Sequence, residues 1–401
     1  MLQQFNTPLP LSLYVHIPWC VRKCPYCDFN SHEAKNEIPE QEYIAALLND
    51  LQNDLPRVWG RRIHSIFIGG GTPSLFSASG IDTLLSGIRA LLPFMGDIEI
   101  TMEANPGTVE AQKFKGFREA GVNRLSIGVQ SFGAQQLQAL GRIHGEVEAR
   151  RAIEWAHEAG FNNINIDLMH GLPEQSMEQA MNDLKTAIAM QPTHISWYQL
   201  TIEPNTRFAF DPPTLPDDDV LSDIQDEGHS LLQSSGFPRY EVSAYARAEN
   251  RSQHNLNYWQ FGDYLGIGAG AHSKLTDMHE QRVYRLHKHR HPKQYLQQQS
   301  FIAGEEVVSA DDIPFEFMMN ALRLIEGVPS NYYPQRTGLR AEGLTLLLSE
   351  LRREGLLQAD NTVIAPTEQG MRYLNSVLQK FLPDQLRALG ARKVIPIINE
   401  R

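Results

Sequence analysis

Three cysteines, Cys20, Cys24 and Cys27, share one short window of the chain, in the run His16-Ile-Pro-Trp-Cys20-Val-Arg-Lys-Cys24-Pro-Tyr-Cys27. The 401-residue sequence contains three cysteines in all, so nothing thiol-bearing is left to complete this C-x3-C-x2-C set. Three thiolates can hold a four-iron cluster while leaving one iron without a protein ligand. An open iron can bind a small molecule and react with it. A cluster held by four cysteines, as in ferredoxins, only passes electrons.

Blander uses of the same residues compete with that one. A structural disulfide is disfavoured by the odd count and by the closeness of the cysteines, which cannot staple distant parts of a large domain. Zinc held by three cysteines and a histidine stays open, because His16 and His32 flank the run. Structural zinc sites, however, usually pair two short Cys or His knuckles, and no second knuckle is visible.

The elements that must position these residues can be read from periodicity. From about residue 11 to 245, short apolar runs alternate with helical patterns. Strands are predicted at 13–17, 65–69, 98–103, 124–129, 164–169 and 195–200. Helices are predicted at 40–55, 79–92, 109–120, 146–159, 176–190 and 218–235. Several end in Gly just past the last apolar position, as at Gly121, Gly160 and Gly236. Six strand–helix units in succession predict an α/β fold with a parallel sheet, open or closed into a barrel. Parallel strands usually read as continuous apolar runs. Here Glu99, Thr101 and Glu103 share one face, as do Ser126, Gly128 and Gln130, and Asn163, Asn165 and Asp167, because side chains alternate with period two. Three polar faces in a row predict a barrel interior that is a polar pocket.

Residues 246–305 read as an irregular connecting segment rich in His, Gln, Tyr and Arg. Residues 306–401 read as a second, helical domain with amphipathic helices at 315–326, 344–354 and 369–381. A two-stranded wing at 357–365 would make it winged-helix-like. Such modules bind DNA or serve as protein contacts, and the formal charge of −11 favours the second use. No nucleic-acid partner is expected. There is no signal-peptide pattern, and no run reaches the ~18 apolar residues of a membrane span. A cytoplasmic, reducing location is therefore expected, with peripheral membrane contact left open.

Other residues could meet a ligand at the strand ends. The run Phe67-Ile-Gly69-Gly70-Gly71-Thr72-Pro73 follows the second strand, and its glycines let a backbone approach a ligand closely. Glu103 ends the third strand and could accept hydrogen bonds from a ribose diol. Gln130 ends the fourth, Arg142 follows it, and Asp167 ends the fifth. In parallel barrels that end carries the active site.

Together these motifs resemble the radical S-adenosylmethionine (SAM) enzymes, and among them the oxygen-independent coproporphyrinogen III oxidase superfamily. The resemblance rests on Tyr14 to Phe29, Gly-Gly-Gly-Thr-Pro, Glu103, Gly-Val-Gln130-Ser-Phe, Gly-Arg142-x-His and Asp167-Leu-Met-x-Gly-Leu-Pro. It implies a partial (β/α)6 barrel over residues 1–245. It also implies a [4Fe–4S] cluster on Cys20, Cys24 and Cys27. Tyr14, Tyr26, Gly70, Gly71, Thr72, Glu103, Gln130, Arg142 and Asp167 would then surround SAM. In that family the cofactors supply the difficult chemistry, a one-electron cleavage of the SAM sulfonium, and the protein supplies placement. No residue is assigned a catalytic role here.

Two departures select a branch. The decarboxylating oxidases carry a further cysteine where this chain has Phe29, and they carry an N-terminal extension before the cluster, where nineteen residues precede Cys20 in this sequence. Instead the chain has His254-Asn-Leu-Asn-Tyr258-Trp259, an H-N-x-x-Y-W motif similar to that of the family's haem chaperones. The resemblance thus implies binding of haem, with His254 as contact, and delivery to recipient haemoproteins. An electron-donor protein is implied as a partner, and a homodimer is compatible with it. Coproporphyrinogen III dehydrogenase activity and radical SAM chemistry on an unrelated substrate are the rival readings.

Overall fold

Strand β1 (Leu11–Ile17) is buried along nearly its whole length. Apolar side chains on both faces require a layer on each side, the condition of a central parallel strand. In the computed structural model, which describes residues 3–108, 111–297 and 299–391, β1 lies in the middle of a twelve-stranded sheet. On one side follow β2 (Ile63–Gly70), β3 (Phe94–Ala104), β4 (Arg124–Gln130), β5 (Ile164–His170) and β6 (His194–Gln199), each parallel to the one before. These are the six strands that alternation predicts.

Helices α1 (Glu40–Asp54), α2 (Ala78–Leu91), α3 (Ala111–Ala120), α4 (Glu146–Glu158) and α5 (Met177–Ala189) carry the chain back between successive strands. Helix α6 (Asp218–Ser234) follows the last of them. The residues expected to open α3, Val109 and Glu110, lie outside the described residues, as do 392–401 of the C-terminal module. Gly121, Gly160 and Gly236 adopt positive φ values of 112°, 83° and 83°, the left-handed turn that stops each preceding helix. Beyond β6 the sheet ends in two short antiparallel strands, β7 (Arg239–Glu241) and β8 (Ala244–Ala246).

The stretch 246–300 is not irregular. It begins with helix α7 (Gln253–Trp259), which carries the H-N-x-x-Y-W motif. Strand β9 (Asp263–Ile267) then pairs parallel with the free side of β1, adding a seventh parallel strand. Antiparallel strands β10 (His272–Asp277), β11 (Arg282–Lys288) and β12 (Ile302–Val307) extend that side. The pattern is hard to read because β9 is short and interrupted by Gly266.

A buried charge network fastens this extension to the barrel. Lys288, at the end of β11 and 1 % exposed, donates to Asp50 (2.6 Å) and Asp54 (2.5 Å) on α1. Asp50 also accepts the Tyr295 hydroxyl (2.7 Å) and the Gly268 N–H (3.1 Å). Burial pushes the Asp50 carboxyl up, and the Lys288 cation pulls it back down.

The C-terminal module has its own core, with Phe317, Tyr333, Leu351 and Phe381 among its buried residues. Phe5 and Phe261 pack into the same core, so it is joined to the barrel rather than tethered to it. Its helices include Ile313–Ala321, Thr345–Arg353 and the pair Glu368–Arg372 and Leu374–Gln379. The expected wing is differently made. Val363–Ile364 pairs with the distant Val328–Pro329, and Leu357 makes a single bridge to Pro366.

Lys288→Met removes the cation and leaves two buried carboxylates facing each other. Global stability should fall by about 3–5 kcal/mol. Urea denaturation checks this, and a change below ~1 kcal/mol would show that the network is relaxed by water.

Candidate functional site

The polar faces of β3, β4 and β5 point into the barrel and bond to one another. Register sets Glu103 opposite Ser126, Gly128 opposite Asp167, and Asp167 opposite Ser196. Ser126 Oγ donates to Asp167 Oδ2 (2.7 Å), and Asn165 Nδ2 donates to Asp167 Oδ1 (2.8 Å). His194 Nδ1 lies 2.6 Å from Asn165 Oδ1, and its Nε2 lies 2.9 Å from the Tyr240 hydroxyl. Asn163 stands just outside β5, where its side-chain oxygen accepts from Thr193. Buried polar groups of this kind are tolerated because they are paired.

The cysteines sit on the loop between β1 and α1, each half-buried. The Cys27 N–H donates to the Cys24 carbonyl (3.2 Å), which closes the loop into a turn. Cys27 Sγ is 3.6 Å from Ser31 Oγ, and Arg142 Nη1 donates to Cys24 Sγ at 3.6 Å. Burial pushes the Cys20 and Cys27 thiols up, so bare thiolates are disfavoured there until something binds them. Among the described residues, no three His, Cys, Asp or Glu side chains converge on one metal ion. A single zinc needs its thiolates ~2.3 Å from one point. A four-iron cluster takes each thiolate on a different corner, so its three cysteines need not converge on one point. His16 is also no candidate ligand, because its two ring nitrogens are engaged with the Tyr14 hydroxyl (2.9 Å) and the Asn30 carbonyl (2.9 Å).

The glycine turn after β2 is pressed against this loop. A Cβ on Gly71 would stand 2.5 Å from the Trp19 carbonyl oxygen, and one on Gly70 2.6 Å from the His16 ring. Gly70 also has φ 116°, which a side chain would resist. All three N–H groups of the turn are engaged internally. Gly71 donates to Ile17 O, Thr72 to Trp19 O, and Gly70 to Glu103 Oε2 (3.0 Å). A ligand would therefore meet carbonyl oxygens, which suit an ammonium group.

Glu103 is the most perturbed acid here. Burial, and then the neighbouring Asp167 charge, push it up to about 8 against the pull of the Gly70 N–H. Asp167 is also raised by burial, although Ser126 and Asn165 oppose the shift. Gln130 ends β4 at φ 71°, an uncommon conformation for a residue other than Gly, where Tyr198 donates to its Oε1 (2.7 Å).

These groups enclose a cavity of about 340 Å3 at the C-terminal ends of the strands. Cys20, Cys24 and Cys27 form one wall. Tyr26, Gly70, Gly71, Thr72, Glu103, Gln130, Arg142 and Asp167 complete it, so eight of the nine expected SAM contacts line this space. Tyr14 does not; it lines an adjoining cavity. Ser196 and Tyr198 on β6 also line the first cavity and were not anticipated. Their period-two spacing on the sixth strand is the signal that would have found them.

His254 has a different setting from the one its motif suggests. Its ring is 2 % exposed, under Phe67 (5.1 Å between centroids) and beside Tyr258 (5.0 Å), and it lines neither cavity. Its Nδ1 is 2.9 Å from Ser65 Oγ, and Nε2 has no hydrogen-bond partner. Burial lowers its pKa to about 3. Its helix is fixed at the N-terminus by Glu99, which accepts from the Gln253 and His254 N–H groups (both 3.1 Å).

Residues 14–187 match the radical SAM superfamily, and residues 308–373 match the HemN C-terminal domain. The chain is 53 % identical over 375 residues to the heme chaperone HemW of Escherichia coli K12, covering 94 % of this chain and 99 % of that one. This chain belongs to the HemW family. A more distant HemW, from Bacillus subtilis, is 33 % identical over 92 % of this chain and 99 % of its own. The same architecture occurs in coproporphyrinogen III oxidase (HemN) from Escherichia coli, with TM-score 0.78 and 26 % identity over 93 % of this chain and 90 % of that structure. The radical SAM match implies a [4Fe–4S] cluster and SAM. No helix among the described residues is long and apolar enough to cross a membrane.

The raised acid gives a pH signature. Folded Glu103 holds its proton up to about pH 8, whereas an unfolded glutamic acid loses it near pH ~4.3. The folded state binds the extra proton in between, so stability falls as pH rises through that window. In Glu103→Gln this fall is smaller, as read from denaturant titrations at the two ends of the window. An unchanged fall would show that Glu103 is already ionised in the fold.

Proposed function

We propose that this protein is a radical SAM haem chaperone that binds haem and passes it to haemoproteins in the cytoplasm. The observation that carries the reading is the near full-length identity of 53 % to a relative of that name. The donor set fits the implied cofactors. Cys20, Cys24 and Cys27, which border the cavity, would hold three irons of a [4Fe–4S] cluster and leave the fourth without a protein ligand.

SAM would lie in that cavity across the strand ends. The carbonyls of the Gly70–Gly71 turn suit its ammonium group, Glu103 and Asp167 suit hydroxyl donors such as the ribose, and Arg142 suits a carboxylate. Tyr26, Thr72 and Gln130 close the walls, and Tyr14 acts from the adjoining side. When bound, the cluster and SAM supply one-electron cleavage of the sulfonium. The protein's own part is to orient the ligand and to keep the Arg142 guanidinium beside Cys24. His254 serves haem binding as part of the α7 motif. An electron-donor protein, peripheral membrane contact and a homodimer are compatible with this assignment.

The HemN likeness favours a second reading, oxidative decarboxylation of coproporphyrinogen III. Against it stands Phe29 in place of the oxidases' further cysteine.

Anaerobic reconstitution, with iron, sulfide and haem measured on one sample, tests the proposal. Wild type should carry four-iron clusters, take up haem and lose it to an apo-haemoprotein. Robust protoporphyrinogen formation from coproporphyrinogen III, or no haem uptake, would overturn it. Cys24→Ala should lose the brown chromophore, and a retained cluster would refute the ligand set. Asp167→Ala should weaken SAM binding by roughly tenfold or more while sparing the cluster.

A further inference from the structure

A second cavity, of about 350 Å3, adjoins the first and shares Phe29, Gly70 and Glu103 with it. Its outer wall comes from the segment that the sequence hides: Tyr264 on β9, Gly270, His272 opening β10, and Arg290 after β11. Tyr258 of the H-N-x-x-Y-W helix supplies another part of the wall. The Tyr258 and Tyr264 rings lie 4.4 Å apart between centroids and are tilted by 54°.

His272 is exposed, and its ring nitrogens have no hydrogen-bond partner among the described residues. Its ring is stacked 5.7 Å from that of His287. The Arg290 guanidinium has no carboxylate partner among the described salt bridges. Its backbone is held in place by Asn30, whose side chain donates to Arg290 O (2.8 Å) and Ala269 O (2.9 Å).

Two tilted aromatic rings, a free imidazole and an unpaired guanidinium together offer contacts for the macrocycle, the iron and the propionates of a haem. We propose that haem is seated in this cavity with His272 as the axial ligand to iron, its ring against Tyr258 and Tyr264, and a propionate on Arg290. The inference rests on the chaperone reading and places its cargo. His254 then acts as a positioning residue. Locked between Phe67 and Tyr258, it holds the Tyr258 ring toward the cavity without touching haem.

The test titrates full-length, anaerobically reconstituted protein with ferric haem, following the Soret band and low-temperature electron paramagnetic resonance. Iron and sulfide content serve as the folding control. His272→Ala combined with His287→Ala, which removes the neighbouring imidazole as a substitute, should abolish the imidazole-ligated spectrum. It should also weaken haem binding by roughly tenfold or more. His272→Tyr should convert the spectrum to a phenolate-ligated, high-spin type with the cluster retained. His254→Ala should weaken haem binding while leaving the wild-type ligand spectrum, and Arg290→Ala should do the same. A wild-type spectrum in both His272 variants, or loss of imidazole ligation in His254→Ala instead, overturns the site while leaving the chaperone reading intact. Failure of the wild type to bind haem would remove both.

Discussion

The close approach between the Gly70–Gly71 turn and the start of the cysteine loop is the constraint on which both cavities depend. Backbone meets backbone there, with no room for a Cβ at Gly71, and two hydrogen bonds join Ile17 and Trp19 to the turn. The contact fixes the height of the cysteine loop over the strand ends. It also aligns His16, whose ring fills the space beside Gly70 and holds the far end of the loop through the Asn30 carbonyl. From Asn30 the connection continues to Ala269 and Arg290 on the outer wall. One steric fit thus orders the walls of both cavities together.

The polar barrel interior keeps two buried carboxyl groups at the strand ends at a tolerable cost. Asp167 and Glu103 are buried close together, and each would be costly alone. The serine, asparagine and backbone donors around them offset part of that cost, and the remainder appears as raised carboxyl pKa values. Groups held in this state can respond to an entering ligand, because hydrogen-bond donors or a positive charge would favour their ionised forms.

How much of this was legible in the sequence depended on the range of the interactions. Period-two and helical patterns located β1 to β6 and the helices between them, because both signals are local. Residues at the strand ends, such as Glu103 and Asp167, could be placed at one rim for the same reason. Strand β9 escaped because its partner, β1, lies some 250 positions earlier in sequence (Leu11 pairs with Asp263) and nothing local announces the pairing. The wing failed similarly, since Val363–Ile364 chooses Val328–Pro329 over its nearer neighbours. His254 illustrates a third limit. Its motif singles it out, but whether an imidazole faces a ligand or supports a neighbour is decided by packing against Phe67 and Ser65, which lie far away in sequence on β2.

The wall shared by the two cavities has a thermodynamic consequence. Phe29, which is 60 % exposed, together with Gly70 and Glu103, borders both spaces, so an occupant of either space changes the surroundings of the other. Were the proposed ligands to fill both, linkage would run in both directions with one coupling constant: any factor by which the nucleoside altered affinity for the tetrapyrrole would equal the factor by which the tetrapyrrole altered affinity for the nucleoside. On the proposed assignment, cofactor affinity and cargo affinity would be coupled by one free energy across the shared Phe29, Gly70 and Glu103.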